Sequence, residues 1–497
     1  MSTPRPAAVL VLAAGEGTRM RSTTPKVLHQ IGGVPLVGHA IRAARATGAQ
    51  HVGVVVRHHR DRVAELCTTL DDRLVIADQD EVKGTARAVE CGLGALPADL
   101  SGTVLVTYGD VPLLTGDTLL ELTAAHLETG SAVSVVTARS ADPTGYGRVV
   151  RDENGRVEQI VEHKDATEAQ RAITEINSGI YAFDISVLRE ALAAVGTDNA
   201  QGEKYLTDVV ALARAVGRPV RAHVLDDLWQ TEGVNDRVQL AALGRELNRR
   251  ICEGHMRAGV TIVDPETTWI DVDVTIGQDT TVLPGTQLLG ATSVGADALI
   301  GPEVTLTDTE VGNSAKVSRA VANLAVIGPG ATVGPYSYLR PGTRLGARGK
   351  IGGFVETKNA EIGEGAKVPH LSYAGDVTIG EGANIGAGTI FANYDGVAKH
   401  HSTVGKHSFI GSNAVVVSPV HLGDGTYVAA GSAVISDVDP GQIAVARGRQ
   451  RNVDGWVARA RPGTATAAAA AAAAAAEQAR SRHPGSDPTT PPEGTEQ

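Results

Sequence analysis

Two groups of residues in this chain could do chemistry, and they lie far apart in sequence. The first is the run Leu12, Ala13, Ala14, Gly15, Glu16, Gly17, Thr18, Arg19, with Pro25 and Lys26 close behind. It follows Ala7 to Val11, an apolar segment that reads as a buried strand, so the glycines fall where a strand becomes a loop. Lacking Cβ atoms, Gly15 and Gly17 let backbone N–H groups approach an anion, while Arg19 and Lys26 bring positive charge to the same place. The spacing is neither that of a P-loop nor the dinucleotide fingerprint G-x-G-x-x-G. Glycines at a strand end also serve purely steric purposes, and it is the two cations that tip the reading towards a phosphate cradle. Asp110 ends a second apolar run, after Val104, Leu105, Val106, Thr107, Tyr108 and Gly109. A carboxylate there, beside a phosphate loop, is a natural ligand for Mg²⁺; without the loop it would read equally well as a turn-capping Asp.

The second group is spread over the C-terminal half: Arg340-Pro341, then Phe354 to Lys358 with Glu356 inside, His370 to Tyr373, and Asn393, Tyr394, Asp395, Gly396 and Lys399. In isolation a loop histidine reads as solvated, and Arg340, Lys358 and Lys399 as surface charges. Their setting changes that. From about residue 260 an aliphatic residue followed by glycine returns repeatedly, as in Ile276-Gly277, Ile300-Gly301, Ile327-Gly328, Ile351-Gly352, Ile385-Gly386 and Ile410-Gly411, with many steps near multiples of six. This is the hexapeptide signature of a parallel β-helix, with aliphatic residues inward and small ones at the corners. Stacked coils convert a separation of one coil into roughly the ~4.8 Å strand spacing, so one face could gather a base, cations and a carboxylate. The pattern breaks at Pro369 to Asp376 and at Phe391 to Ser402, which are expected to be loops carrying function.

The N-terminal half must position the first group. Val52 to Val56, Val104 to Val106 and Val133 to Val136 read as strands, and Leu36 to Arg45 and Leu119 to Leu127 as helices. The alternation predicts a mostly parallel sheet with its ligands beyond the strands' carboxyl ends. Between the halves, Leu240, Leu243, Leu247 and Ile251 recur at helical spacing from Val238 to about His255, a connecting arm without chemistry of its own. Past Trp456 the ten-alanine run Ala467 to Ala476 leads into a Pro-, Ser- and Thr-rich end, and this tail is expected to be mostly disordered or fraying.

Composition sets outer limits. With 497 residues, 42% of them hydrophobic, several cores can form. The net charge of −11 and the lack of a long basic run argue against nucleic acid, so an anionic substrate needs a local basic pocket. Three scattered cysteines fit a reducing cytoplasm, with neither a disulfide frame nor a zinc site. Met1 to Pro6 lacks the apolar core of a secretory signal, and no run approaches the ~20 apolar residues that span a bilayer. The expectation is a soluble, cytoplasmic protein that engages no membrane.

From Ala7 to about Trp456 the sequence resembles the bacterial bifunctional N-acetylglucosamine-1-phosphate uridylyltransferase / glucosamine-1-phosphate N-acetyltransferase family. The resemblance rests on separate motifs: Leu12 to Arg19, Tyr108 to Pro112, Gly145-Tyr146-Gly147-Arg148, Val161-Glu162-His163-Lys164, Ile176-Asn177-Ser178-Gly179, Glu232-Gly233-Val234-Asn235, and the C-terminal segments named above. It implies an N-terminal Rossmann-like nucleotidyltransferase domain over 1–236, a helical linker over 237–259, a left-handed parallel β-helix over 260–456, and a tail over 457–497. It implies that acetyl-CoA acetylates glucosamine 1-phosphate and that N-acetylglucosamine 1-phosphate then attacks UTP, releasing pyrophosphate. The product, UDP-N-acetylglucosamine, would feed peptidoglycan, lipid A and other envelope polysaccharides.

The resemblance also implies residue roles. Asp110 and Asn235 would hold one or two Mg²⁺ ions, and Arg19 and Lys26 would balance the phosphates. Leu12, Ala13, Gly15, Tyr108 and Gly109 would line the substrates, Gln79, Gly84 and Thr85 would read uracil, and Gly147, Glu162 and Asn177 would grip the sugar. Where relatives carry Leu-Gly-Thr-Gly-His this chain has Lys83, Gly84, Thr85, Ala86 and Arg87. In the C-terminal half, which would form a homotrimer with acetyl-CoA between subunits, His370 would be the general base, oriented or tuned by Glu356. Asn393, Tyr394, Tyr373 and Asn384 would position the amino sugar, and Arg340, Lys358 and Lys399 would clamp its phosphate. Ala387, Ser412, Ala430 and Arg447 would bind the coenzyme, with the Ala387 N–H as an oxyanion donor. The competing reading is a nucleotidyltransferase alone, its β-helix serving assembly or regulation; a base beside a phosphate clamp speaks against it.

Overall fold

A computed structural model describes residues 4–482. The run Ala8–Leu12 is buried along its whole length, as a strand covered on both faces must be. It lies at the heart of a nine-stranded sheet. Across its main path the strands are ordered Val220–Leu225, Val133–Arg139, Glu175–Asp184, Thr103–Tyr108, Ala8–Leu12, His51–Val56 and Val75–Asp78. All neighbours are parallel except Glu175–Asp184, which runs antiparallel to both of its partners. The expected mostly parallel sheet is therefore present with one reversed strand, which also carries the hairpin Arg148–Arg151 and Val157–Val161. After Ala8–Leu12 the chain builds outward through His51–Val56 on one side and returns through Thr103–Tyr108 on the other. The carboxyl end of Ala8–Leu12 is thus a topological switch point, where such sheets open a crevice. Helices Leu36–Ala46 and Gly116–Glu128 cover the sheet, the latter capped by Thr115, whose hydroxyl accepts from Thr118 N at 3.2 Å.

The helix Arg237–Arg257 starts at Asp236, whose carboxylate accepts from Val238 N and Gln239 N at 2.9 Å each. Its far end is fastened to the C-terminal half: Asn248 donates to Thr268 O at 2.7 Å and accepts from Ile270 N at 3.0 Å, and Cys252 is fully buried in the core there. The sheet domain touches that region directly as well. Val272 N donates to Gly32 O at 3.0 Å, and Arg42 makes a two-pronged contact with Asp273 at 2.8 and 2.9 Å.

From Thr261 the chain forms a parallel β-helix of two ladders, with 11 and 17 strands. Val282, Ile300, Val317, Val333, Ile351 and Val368 pair one above another, all buried, and Ile385, Ile410 and Val428 continue the column. The glycine after each inward aliphatic residue has a steric reason: a Cβ on Gly346 would lie 2.7 Å from Glu364 N on the next coil. Lys350 stands beside Lys367 and Lys367 beside Asn384, a step of 17 residues, whereas Asn384 stands beside Phe409, a step of 25.

The two expected interruptions differ. Pro369 to Asp376 is no insertion: Lys367–His370 and Tyr373–Ile379 keep the 17-residue register, and Leu371 and Ser372 form an ordinary corner. The repeat is disguised there because proline and polar residues replace the usual pattern. The second interruption is a real extrusion from Asn393 to His401, closed at its base by His400 N donating to Asn393 O at 2.8 Å. Residues from Val445 onward form a compact unit of their own. In it the alanine run, expected to fray, is helical over Ala465–Arg482, with the Thr464 hydroxyl accepting from Ala467 N at 3.3 Å. High alanine propensity and a capping threonine favour this. The Pro-, Ser- and Thr-rich end lies outside the described residues.

Candidate functional site

Beyond the carboxyl ends of Ala8–Leu12, His51–Val56 and Thr103–Tyr108 is a cavity of about 410 Å³. Of the residues singled out in the sequence, Leu12, Ala13, Gly15, Lys26, Gln79, Gly84, Thr85, Tyr108 and Asp110 line it. Gly17 lets the loop fold tightly: its φ is +69°, and a Cβ there would sit 2.6 Å from Lys26 Cβ. Lys26 Nζ pairs with Asp110 Oδ2. Arg19 Nη2 donates to Asn235 Oδ1 at 2.8 Å. Val234 N donates to Asp110 O at 2.9 Å, which brings the distant Glu232 to Asn235 turn against the Asp110 loop. Gly109 N donates to Leu12 O at 2.9 Å, joining the two loops at their roots. Gln79 donates to the Val82 and Gly84 carbonyls at 3.0 and 3.2 Å, and Thr85 Oγ1 accepts from Leu206 N at 3.0 Å.

Gly147, Glu162 and Asn177 form a cluster of their own. A Cβ on Gly147 would lie 3.5 Å from Asn177 Cβ and 3.6 Å from Glu162 Oε1. Asn177 Oδ1 accepts from Gly179 N and Tyr181 Oη, both at 3.0 Å. Burial pushes the Glu162 carboxyl above its ordinary value; the Thr207 hydroxyl opposes this, and the Asp165 and Asp208 charges add to it. Tyr108, whose phenol burial drives well upward, feels both Glu162 and Asp110 and links this cluster to the cavity. Over the cluster, Tyr146 Oη donates to Glu232 Oε2 at 3.1 Å.

Asp110 and Asn235, on loops joined by the hydrogen bond from Val234 N to Asp110 O, offer one carboxylate and one amide oxygen. Among the described residues no group of three or more His, Cys, Asp or Glu converges as a metal cage. Two hard oxygens suit Mg²⁺, which keeps waters and takes substrate phosphates as its other ligands.

On the β-helix, Arg340 Nη1 donates to Glu356 Oε1 at 2.8 Å. Lys399 lies against Lys358 and holds its amine below the ordinary value; desolvation and Arg340 act the same way and Asp376 opposes them. Asn393 donates to Asp376 at 2.5 Å and to Tyr373 Oη at 3.4 Å. So Arg340, Glu356, Lys358, Tyr373, Asn393 and Lys399 are brought together as expected from stacking. Tyr394 is 59% exposed on the extruded loop, its hydroxyl donating to Gly396 O at 2.6 Å.

His370 lies across a corner from Tyr373. Its carbonyl accepts from Gly388 N, that of Ala387 from Asn413 N, and that of Ser412 from Gly431 N, at 3.1, 2.7 and 2.9 Å. His370, Ala387, Ser412 and Ala430 therefore follow one another up a single corner column. The Ala387 N–H makes no hydrogen bond among the described residues. Two expected pairings are not made within one chain. Glu356 is taken by Arg340, and the His370 ring has no hydrogen-bond partner among the described residues. Asn384 stands between Lys367 and Phe409 on the 11-stranded ladder, away from Tyr373 on the 17-stranded one. Arg447 is exposed, in the unit that starts at Val445.

Arg57, His58 and Glu203, which no sequence motif marks, also line the cavity, and Asp376, equally unmarked, joins the β-helix cluster. Arg57 directly follows the buried strand His51–Val56, the same strand-end signal that marked Asp110.

Comparison with known proteins agrees with this geometry. A MobA-like NTP transferase domain matches residues 9–176, and a bacterial transferase hexapeptide motif of six repeats matches residues 401–436. The bifunctional protein GlmU of Kineococcus radiotolerans is 60% identical over 459 residues, 92% of this chain and 93% of its own. The chain belongs to the bifunctional GlmU family. The GlmU proteins of Paenarthrobacter aurescens and Mycolicibacterium vanbaalenii are 59% and 57% identical, each over 93% of this chain and over 93% and 94% of their own. With hexapeptide repeats of this kind the C-terminal solenoid is a left-handed parallel β-helix, a hand that chain stereochemistry alone does not favour in β-crossovers.

Proposed function

We propose that the chain performs two successive transfers: acetyl from acetyl-CoA to glucosamine 1-phosphate, then uridylyl from UTP to N-acetylglucosamine 1-phosphate. The observation that carries this is the presence, in a chain aligned almost end to end with bifunctional relatives, of both a strand-end phosphate cavity and a cationic β-helix cluster. In the first site, Lys26 and Arg19 receive the phosphates while Gln79, Gly84 and Thr85 hold the base. Glu162, Asn177 and the bare backbone at Gly147 seat the sugar so that its phosphate oxygen faces the α-phosphorus. Alignment and charge neutralisation carry most of the rate in such displacements. Asp110 and Asn235 would hold Mg²⁺, which supplies neutralisation of the charge shared between the phosphates.

In the second site Arg340, Lys358 and Lys399 clamp the sugar phosphate, and Asn393, Tyr394 and Tyr373 orient the ring. His370 takes a proton from the amine as its nitrogen attacks the thioester carbonyl. The Ala387 N–H receives the oxyanion, and coenzyme A leaves as the thiolate. The small column Ala387, Ser412 and Ala430 leaves room for the coenzyme.

Asn384, remote from Tyr373 within one chain, serves the site of an adjacent copy. That arrangement accords with a homotrimer, as do the solvent-facing aromatic pairs Tyr336–Phe354 and Phe409–Tyr427, with centroids 5.2 and 5.5 Å apart. The working compartment is the cytoplasm, where UTP and acetyl-CoA are available. No described helix is long and apolar enough to cross a membrane.

The test measures thiol and pyrophosphate release separately, in purified protein given Mg²⁺ and each substrate pair. His370→Ala should abolish thiol release and spare pyrophosphate release, and Asp110→Asn should do the reverse. Equal loss of both activities in either variant would sink the assignment of two independent sites.

A further inference from the structure

Asn359, Asp376 and Asn393 occupy consecutive rungs of one corner column, 17 residues apart. Asn359 Nδ2 donates to Asp376 Oδ1 at 2.7 Å, and Asn393 Nδ2 donates to Asp376 Oδ2 at 2.5 Å. We propose that Asp376 is a positioning residue for acetyl transfer, locking the Asn393 side chain so that its carbonyl oxygen, and not its NH₂ group, faces the amino sugar. This rests on the reading of the β-helix as the acetyltransferase.

An ionised carboxylate can only accept hydrogen bonds, so each amide beside it must turn its NH₂ inward. The orientation of Asn393 is then fixed by chemistry. Its nitrogen is held by Asp376 and Tyr373, and its Oδ1 has no partner among the described residues. Asn393 is itself 6% exposed, so it has little freedom to turn. A fixed carbonyl oxygen can accept from the amine of glucosamine 1-phosphate, one of the N–H and O–H donors of that substrate, and so orient it for attack.

Asn393 is also the residue after which the chain leaves the coil. Asp376 therefore fastens the root of the loop that carries Tyr394 and Lys399. Charge favours the same role. Burial would raise the Asp376 carboxyl, but the two amides and the Lys358 and Lys399 charges outweigh it and hold it below its ordinary value. With Glu356 on Arg340 and Asp376 facing the lysines, three cations meet two carboxylates, and one positive charge remains for a phosphate.

The experiment is a double-mutant cycle in the full-length protein, with Asp376→Asn, Asn393→Ala and the pair. Asp376→Asn keeps the shape but sets NH₂ against NH₂. Its kcat/KM for glucosamine 1-phosphate should fall at least 30-fold, with the KM for acetyl-CoA unchanged. In the Asn393→Ala background the same change should cost less than threefold. Uridylyl transfer and the thermal midpoint, read on the same samples, should stay at wild-type values. Unchanged acetyl transfer in Asp376→Asn, or losses that multiply in the pair, would overturn the proposal. Should Asp376→Asn lower the midpoint, Asn359→Ala must still reduce acetyl transfer, and no reduction would overturn it equally. If His370→Ala retains acetyl transfer, the reading of the domain fails; if His370→Ala is inactive and Asp376→Asn is neutral, only this inference fails.

Discussion

Arg19 Nη2 meets Asn235 Oδ1 at 2.8 Å, although 216 residues separate them in the chain. Together with the Lys26 and Asp110 pair, this puts a cation of the phosphate loop on each of the two oxygen donors proposed for the metal. On the proposed roles, binding of a divalent ion and nucleotide would amount to an exchange, in which both cations would pass from protein oxygens to phosphate oxygens.

Lys26→Ala should therefore lower uridylyl transfer by about 10²–10³-fold, the scale set by loss of one preorganised electrostatic partner. Chelation of divalent ions should stop pyrophosphate release as well. Neither treatment should alter thiol release from acetyl-CoA, and parallel progress curves for the two products check both statements.

Gly179 has φ +80°, and a Cβ there would lie 2.4 Å from Tyr108 Cε2. Gly179→Ala would combine backbone strain with a clash against a ring held in place by its surroundings, costing about 2–4 kcal/mol. Denaturant titration should show the nucleotidyltransferase unit melting earlier, with uridylyl transfer lost and acetyl transfer retained.

The Glu162 carboxyl titrates above its ordinary value because burial disfavours its charge. A group raised in this way favours folding while protonated, and that contribution is lost as pH rises through the folded value. At pH 7 the wild-type residue is thus a liability to stability. Glu162→Gln should raise the thermal midpoint at pH 7, with the gain fading as pH drops through the raised folded value and gone by the ordinary glutamate value of about 4.3. Its kcat/KM for uridylyl transfer should meanwhile fall by about tenfold or more, as expected when a hydrogen-bonding substrate group loses a charged acceptor.

Glu246, on the connecting helix, behaves in the opposite way. Arg249, then Arg250, draw its carboxyl down to about 2 against the effect of burial. Its contribution is present above the unfolded value and is lost as pH falls through about 2. Glu246→Gln should cost about 1–2 kcal/mol at pH 7, less than the full shift because Arg249 is half exposed and screened. The difference between variant and wild type should narrow between pH 4.5 and 2 in urea titrations.

Much of this architecture was legible in the residues. Ala8–Leu12 and Thr103–Tyr108 are buried on both faces and read as unbroken apolar runs, so the crevice at their ends could be placed. The aliphatic-glycine repeat is equally plain, because close approach between coils at positions such as Gly346 leaves few alternatives. Pro369 to Asp376 differs from its expected loop because register is set by the inward residues Val368, Ala374 and Val377 of that coil, and not by how polar the intervening corner is. The pairing of Glu356 with Arg340 was invisible because it depends on side-chain direction between neighbouring rungs, where a carboxylate has several basic groups to choose from. Asp376 escaped notice because a lone Asp at a corner resembles any turn residue until the amides above and below it are seen.

The step from Asn384 to Phe409 leaves the coils above and below in register while the chain between them makes an excursion into solvent. Such a core tolerates changes in the length and lettering of that excursion, since no inward aliphatic residue moves when the loop is rewritten. The surface chemistry of that loop is therefore open to revision by small insertions and deletions, at little risk to folding.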